Sequence, residues 1–285
     1  MHNAEYLELD GRLAFVETWP GHRPTVLCVH TAGQSGVQYR HAAPGLAGLG
    51  FGVVVADLPG HGRSEPAPDG PVSDLSWYAE WCVRLIAKLG LERPYLLGCS
   101  IGGSIALDVA TRLPGERLSG VVALDPSGVL GSDGGPPPPP LLEDAASPSM
   151  RDRTYFGTIE ACGRSVPAER AELIAQMHCR EDWHITVSDI HGALTHDIRA
   201  ELARITCPVR ILTGEDDYFV PPSRVRRVAD LVPHAAFEVM PGIGHYPMEE
   251  IPDFAERFDG WVREFEPAGA PAAAPAVAEL DGAAP

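Results

Sequence analysis

Short β-branched runs alternate with segments of helical length along most of this chain, and that alternation is what most restricts its fold. The runs at 25–29, 52–56, 95–97, 120–125, 209–214 and 235–240 are each followed by loops punctuated by Gly, Pro or Asp. Segments 38–49, 75–89, 101–112 and 222–231 lie among them with helical length and period. A parallel strand pair needs a crossover connection, so this order predicts an α/β architecture: a mostly parallel sheet with helices on both faces. Ligands in such sheets bind outside the carboxyl ends of the strands. The loops that begin at His30, Asp57, Ser100, Gly214 and Gly242 leave those ends and converge on one crevice.

One of those loops carries a chemical signature. Gly98-Cys99-Ser100-Ile101-Gly102 joins the run at 95–97 to the helical pattern at 101–112, which puts a serine at the apex of a strand-to-helix turn. Glycines flank the serine because the turn brings backbone atoms close together and gives the apex residue an unfavourable dihedral. The same turn aims the first amides of the helix, that of Ile101 foremost, at any oxyanion formed beside Ser100. A serine hydroxyl is a poor nucleophile near neutral pH and needs a base within reach, a task suited to imidazole. The imidazole in turn needs an acceptor on its other nitrogen.

Taken together, the HTAG loop at His30, the DLPGHGRS segment at Asp57, GCSIGG at Gly98, GEDDYFVP at Gly214 and GIGHYPMEE at Gly242 resemble, in order and spacing, the α/β-hydrolase family. The likeness spans 6–265. Two positions depart from the common pattern: Thr31 stands where the family more often has Gly, and Cys99 where it has His or an aromatic residue. The resemblance implies an eight-stranded sheet and a Ser-His-Asp triad. It assigns the base to His245, after the last strand run, and the acid to Asp217, four residues before Pro221. Glu215 and Asp216 are neighbouring loop acids, and Asp125, at the end of the preceding strand run, is the competing acid. The resemblance adds the Ala32 amide to that of Ile101 as oxyanion donors. It leaves His30, His61 and Arg63 as braces of their loops.

The segment between 125 and 209 is too long for an ordinary crossover. It opens with a Gly/Pro tract at 131–140 that contains five consecutive prolines, expected to be an extended strap. Helical patterns follow at 150–163, 167–178, 183–196 and 198–205. The expected organisation is an α/β-hydrolase core of 1–127 and 206–265, an inserted helical cap at 128–205, and a disordered Ala/Pro-rich tail at 266–285. Phe156, Met177 and Trp183, with Ile190, are the cap residues expected to line a substrate pocket.

Composition narrows the function classes. A formal charge of −17 argues against nucleic-acid binding, which depends on cations that neutralise phosphate. No run approaches the ~20 apolar residues of a membrane span, and the start of the chain lacks an apolar signal core, so a cytoplasmic protein is expected. The 6 cysteines show no metal or CxxC spacing and read as reduced packing residues; no metal and no nucleotide cofactor is expected. The partner is then a small-molecule substrate. Three readings stay open: a serine hydrolase of small to medium carboxylic esters, thioesters or lactones; a carbon-carbon bond hydrolase of β-diketone-like or dienoate substrates, favoured if Arg151, Arg153, Arg164 or Arg180 binds an acid; and a non-hydrolytic sensor, cyclase or lyase on the same scaffold.

Overall fold

The computed structural model describes residues 2–126, 128–132 and 149–265. Ser127, most of the Gly/Pro tract and the 266–285 tail lie outside the described residues. Eight strands form one sheet: β1 (Asn3–Leu9), β2 (Arg12–Trp19), β3 (Arg23–Val29), β4 (Phe51–Ala56), β5 (Tyr95–Cys99), β6 (Gly120–Leu124), β7 (Val209–Gly214) and β8 (Ala236–Met240), in the order β1-β2-β4-β3-β5-β6-β7-β8. The β1–β2 and β2–β4 pairs are antiparallel and every other pair is parallel. The connections carry α1 (Ala42–Gly48), α2 (Leu75–Lys88), α3 (Ile101–Arg112), α4 (Met150–Ala161), α5 (Ala168–His178), α6 (Trp183–Thr195), α7 (Pro222–Ala229), α8 (Pro247–Glu250) and α9 (Phe254–Arg263). This is the α/β-hydrolase fold, with α4 to α6 inserted between β6 and β7.

The sheet is apolar on both faces because successive side chains of each central strand point to opposite sides. Leu27 and Val29 of β3 join α2, α3 and α7 in one core, while Val26 and Cys28 join α1 and α9 in the other. Strand order reverses direction at β3, with β4 on one side and β5 on the other. Val29 pairs with Gly98 at that point, which sets the loop after β3 beside the turn after β5. A crevice at such a switch point is where this sheet class binds ligands.

Several elements differ from their sequence patterns. The pattern at 38–49 divides into a 3-10 turn, Gly36–Tyr39, and α1, because Pro44 has no amide to donate and is accommodated only in the first turn of a helix. Pro252, which has no amide to donate, lies just before the start of α9 at Phe254. The segment 198–205 is not an α-helix: residues 199–201 form a turn and Leu202–Arg204 a short 3-10 helix. Its backbone is used to close the neck of the insertion instead, where Leu130 bridges Asp197 and Ile198 N–H donates to Val129 O at 3.1 Å. The β1–β2 hairpin is not among the strand runs above, although Asp10-Gly11 marks it. Both residues take the positive φ, 56° and 74°, that a two-residue hairpin turn requires.

Burial predicts which leucines matter. Leu97→Ala, in the middle of β5, should cost about 2–5 kcal/mol in chemical denaturation. Leu13→Ala, 44% exposed on β2, should cost less than about 0.5 kcal/mol. Equal costs would contradict the assignment of the core.

Candidate active site

Ser100, between β5 and α3, has φ 57° and ψ −117°, a conformation rare for a residue with a side chain. The turn is held from outside: Ser100 N–H donates to Leu124 O of β6 at 2.9 Å, and Ser104 Oγ donates to Ser100 O at 3.2 Å. Close approach explains the flanking glycines. A Cβ on Gly98 would fall 2.1 Å from Gly102 O, and one on Gly102 would fall 2.3 Å from Val29 O. The helix α3 therefore starts hard against the ends of β3 and β5, with the Ile101 amide at its N-terminus.

His245 and Asp217 meet in the same place. His245 Nδ1 donates to Asp217 Oδ2 at 2.7 Å, and the second oxygen of Asp217 accepts Phe219 N–H at 2.8 Å and Val220 N–H at 2.9 Å. Burial alone would raise the Asp217 carboxyl. The charge and hydrogen bond of His245, with the Val220 amide and Asp125, outweigh it and hold the carboxyl below its usual range. Cys99 Sγ donates to His245 O at 3.1 Å, so the residue before the serine touches the backbone of the histidine. Ser100, His245 and Asp217 are 6%, 4% and 7% exposed.

The histidine loop is fixed by groups that the sequence motifs did not single out. His245 N–H donates to Ala161 O, at the end of α4, at 2.8 Å. Glu250 takes the amides on either side, Gly244 at 2.6 Å and Tyr246 at 2.9 Å, and that of Gly163 in the insertion at 3.1 Å. Glu250 closes the GIGHYPMEE motif, so its place in the motif was the available signal. Arg164 pairs with Glu215 and Asp216, which fastens the insertion to the loop of Asp217.

In the loop after β3, Thr31 N–H donates to Gln38 Oε1 at 2.9 Å, Gly33 N–H to Asp189 Oδ2 at 2.8 Å and Gln34 N–H to Thr31 O at 3.2 Å. Among the described residues the Ala32 amide between them has no acceptor. Asp189, on α6, is fully buried and also accepts from His61 Nε2 at 2.8 Å and Tyr78 OH at 3.3 Å. No periodicity or motif marks Asp189 in the sequence. His30 donates from Nδ1 to Thr31 O at 2.9 Å and accepts Leu58 N–H on Nε2 at 3.0 Å, which fixes its neutral tautomer. Asp57 accepts Gly36 N–H at 2.7 Å and Arg63 Nε at 2.9 Å; burial raises its carboxyl, and these donors more than reverse that.

The expected pocket residues are scattered. Phe156 on α4 is 63% exposed and packs edge-on against Tyr155, while Trp183, half-buried, stacks on its neighbour His184. Met177 and Ile190 are half-buried. Two aromatic rings flank the histidine edge-on, buried Tyr246 at 5.1 Å and Phe219 at 5.2 Å, the latter 49% exposed. Phe219 lies within the GEDDYFVP motif, and α4 passes it at Gly157, where a Cβ would stand 3.8 Å from the ring. A cavity of about 400 Å³ opens elsewhere, between the β1–β2 hairpin and α2, and includes none of these residues.

Among the described residues, Asp125, Asp217 and His245 form the one group with ligand atoms spaced for a metal, all within 4.8 Å of one another. Within this group His245 Nδ1 and Asp217 Oδ2 are bonded to each other at 2.7 Å. His178 and Cys179 form no such group, since His178 Nε2 donates to buried Glu249 at 2.6 Å and Cys179 Sγ faces Arg151 O. No described helix is long and apolar enough to cross a membrane.

Comparison with known proteins places this geometry in context. A family model described as the alpha/beta hydrolase family matches residues 26–258. A putative carbamate hydrolase, RutD, of Caulobacter sp. strain K31 is 29% identical over 78% of this chain and 84% of its own. A 2-hydroxy-6-oxononadienedioate/2-hydroxy-6-oxononatrienedioate hydrolase of Burkholderia vietnamiensis is 26% identical over 89% of this chain and 90% of its own. Among solved structures, the N-acyl homoserine lactone degrading enzyme Est816 superposes with a TM-score of 0.75 at 24% identity, covering 92% of this chain and all of that one, a likeness of fold.

Burial, with the charge of His61 next, pushes His30 down from 6.5 to about 4, against the opposing pull of Asp57 and Asp189. Between those values the unfolded chain binds a proton that the folded chain refuses, so stability present above about 6.5 should be lost as pH falls toward about 4. Urea midpoints across that window should fall, and His30→Gln, which does not titrate, should flatten part of the slope. An unchanged slope would mean that His30 is protonated in the fold.

Proposed function

The chain belongs to the alpha/beta hydrolase family, and from that premise we propose that it is a serine hydrolase. Its substrates are small to medium carboxylic esters, thioesters or lactones, and its intermediate is an acyl group on Ser100. The observation that carries this reading is the 2.7 Å bond from His245 Nδ1 to Asp217, beside a serine elbow held at φ 57°. With Nδ1 protonated and bonded to Asp217, Nε2 keeps the lone pair that accepts the Ser100 proton. Ser100 Oγ then bonds to the carbonyl carbon, and the carbonyl oxygen gains negative charge against the Ala32 and Ile101 amides. One such donor is worth about 2.7–4 kcal/mol in the transition state. The imidazolium returns its proton to the leaving alcohol or thiol. Water then repeats the sequence to release the acid.

In this reading residues 128–205 act as a cap on a core of 1–127 and 206–265. The cap restricts water and substrate shape, and Phe219 and α4 supply apolar surface beside His245. The 6 cysteines are free thiols, in keeping with a reducing compartment such as the cytoplasm.

A second reading, carbon-carbon bond hydrolysis, is favoured by the near full-length likeness to the dienedioate hydrolase. Charge weighs against a diacid here. Arg164 is engaged by Glu215 and Asp216, and Arg151 and Arg180 are exposed. Glu181 lies beside Gly33, where a Cβ would come 2.8 Å from its Oε2.

A fluorophosphonate should label the wild type, and Ser100→Ala and His245→Ala should each abolish labelling while leaving circular dichroism unchanged. Uncharged p-nitrophenyl esters of graded length should turn over, and Asp217→Asn should lower kcat by roughly 10³- to 10⁴-fold because the imidazole loses its orientation. Wild-type protein that neither labels nor hydrolyses any ester would leave the non-hydrolytic reading in possession. Faster turnover of a dienoate diacid than of every ester would favour carbon-carbon cleavage.

A further inference from the structure

Asp125 closes β6 with φ 44°, a left-handed conformation that costs energy in a residue other than glycine. It is fully buried. Its Oδ1 accepts Gly214 N–H at 3.0 Å, which ties it to the start of the Asp217 loop. Its Oδ2 is buried and finds no donor among the described residues. Asp217, by contrast, is supplied by three: His245 Nδ1, Phe219 N–H and Val220 N–H.

The two carboxyl groups and the imidazole lie within 4.8 Å of one another. Two carboxylates at that separation in a buried site do not both ionise without a large penalty. The one with more donors keeps the charge, so the proton goes to Asp125. Protonation also resolves its orphaned oxygen: an O–H on Oδ2 is a donor, and Asp217 is an acceptor in reach.

We propose that Asp125 is a neutral carboxylic acid at pH 7 and a positioning residue of the site, donating its Oδ2–H to Asp217 and holding that carboxylate against His245. The proposal rests on the triad reading above. Burial, and after it the charge of Asp217, push the Asp125 carboxyl well above the usual carboxylate range, and the bond between the two acids helps keep Asp217 below it. The other groups that face Asp125 are Thr213 and the buried Cys99 thiol, and neither is a cation that would favour ionisation. The proton leaves the acid pair with a single negative charge, matched to the single positive charge that His245 gains when it takes the proton of Ser100.

The test reads protonation and turnover separately. Infrared difference spectra of wild type against Asp125→Asn at pH 7 should show the C=O stretch of a buried carboxylic acid that the variant lacks. Asparagine keeps an N–H donor toward Asp217, so kcat/KM should stay within about 3-fold and the acid limb of the pH–rate profile should not move. Asp125→Leu removes the donor: kcat should fall about 10-fold, the worth of one hydrogen bond to a charged group, and the acid limb should move to higher pH as His245 holds its proton more tightly. No carboxylic acid band, or an acid limb that moves to lower pH in both variants, would overturn the proposal, because an ionised Asp125 would be losing a negative charge in each. The band is read without turnover, so a wild type that does not label at Ser100 would sink the triad reading and leave the protonation of Asp125 standing.

Discussion

Asp189 is a carboxylate on an inserted helix that is compensated entirely by the core of the molecule. Its three donors come from three separate places: the loop after β3 through Gly33, the loop after β4 through His61, and α2 through Tyr78. A carboxylate buried without partners costs several kcal/mol, so these three donors favour the docking of α6. The contact acts on the site through sequence adjacency, because Gly33 follows Ala32. On the other side of Ala32, Thr31 is held by Gln38, whose Nε2 faces Glu249 at 3.3 Å and the His178 ring of α5 at 3.1 Å. Both neighbours of the proposed oxyanion donor are thus held by groups that reach the insertion.

The histidine side of the site depends on the insertion in a different way, by backbone contact. A Cβ on Gly244 would fall 2.0 Å from Ala161 O, and one on Gly214 would fall 2.2 Å from Gly244 O. The end of α4, the loop of His245 and the loop of Asp217 therefore touch main chain to main chain, which leaves little room for one to shift without the others. Glu250 reinforces this by bonding amides of the insertion and of the His245 loop with one side chain. A helical segment that seems, on its connectivity, an accessory to the sheet is part of what aligns the imidazole.

Those dependencies explain what was legible in the sequence. The central strands and their crossover helices were readable because apolar runs and helical periods are local, and the elbow because Gly98 and Gly102 mark a close approach that tolerates no side chain. Ser100, Asp217 and His245 followed from motif order, and the structure brings His245 and Asp217 together. The hairpin escaped the strand pattern because β1 is exposed along most of its length and so lacks an apolar run, leaving Asp10-Gly11 as its signal. Asp189 and the burial of Asp125 were not readable, since their meaning lies in partners up to 156 positions away. Phe156 was a candidate for the pocket because an aromatic at helical spacing looks the same whether it faces a ligand or solvent. Phe219 and Tyr246, both from motifs already in view, are the rings beside the imidazole.

The electrostatics of the site follow from its dryness. Charges removed from water act on one another more strongly, so a few fixed groups outweigh the −17 of the whole chain, whose distant members are screened over about 8 Å at physiological salt. Asp217 is bonded to the imidazole and Glu250 to the amides on either side of it, while the loop after β3 meets Asp189 at the Gly33 amide and Glu181, which is anchored by the hydroxyls of Thr154 and Thr186. The proposed reaction places a new negative charge on the substrate oxygen and a new positive charge on His245. Asp217 is bonded to the imidazole and serves the positive one, while the Ala32 and Ile101 amides serve the negative one without adding net charge. A substrate bearing its own carboxylate near Gly33 would bring a further anion toward Glu181. An uncharged acyl group meets no such opposition, and for that reason the local charge pattern, rather than the fold, favours a neutral ester.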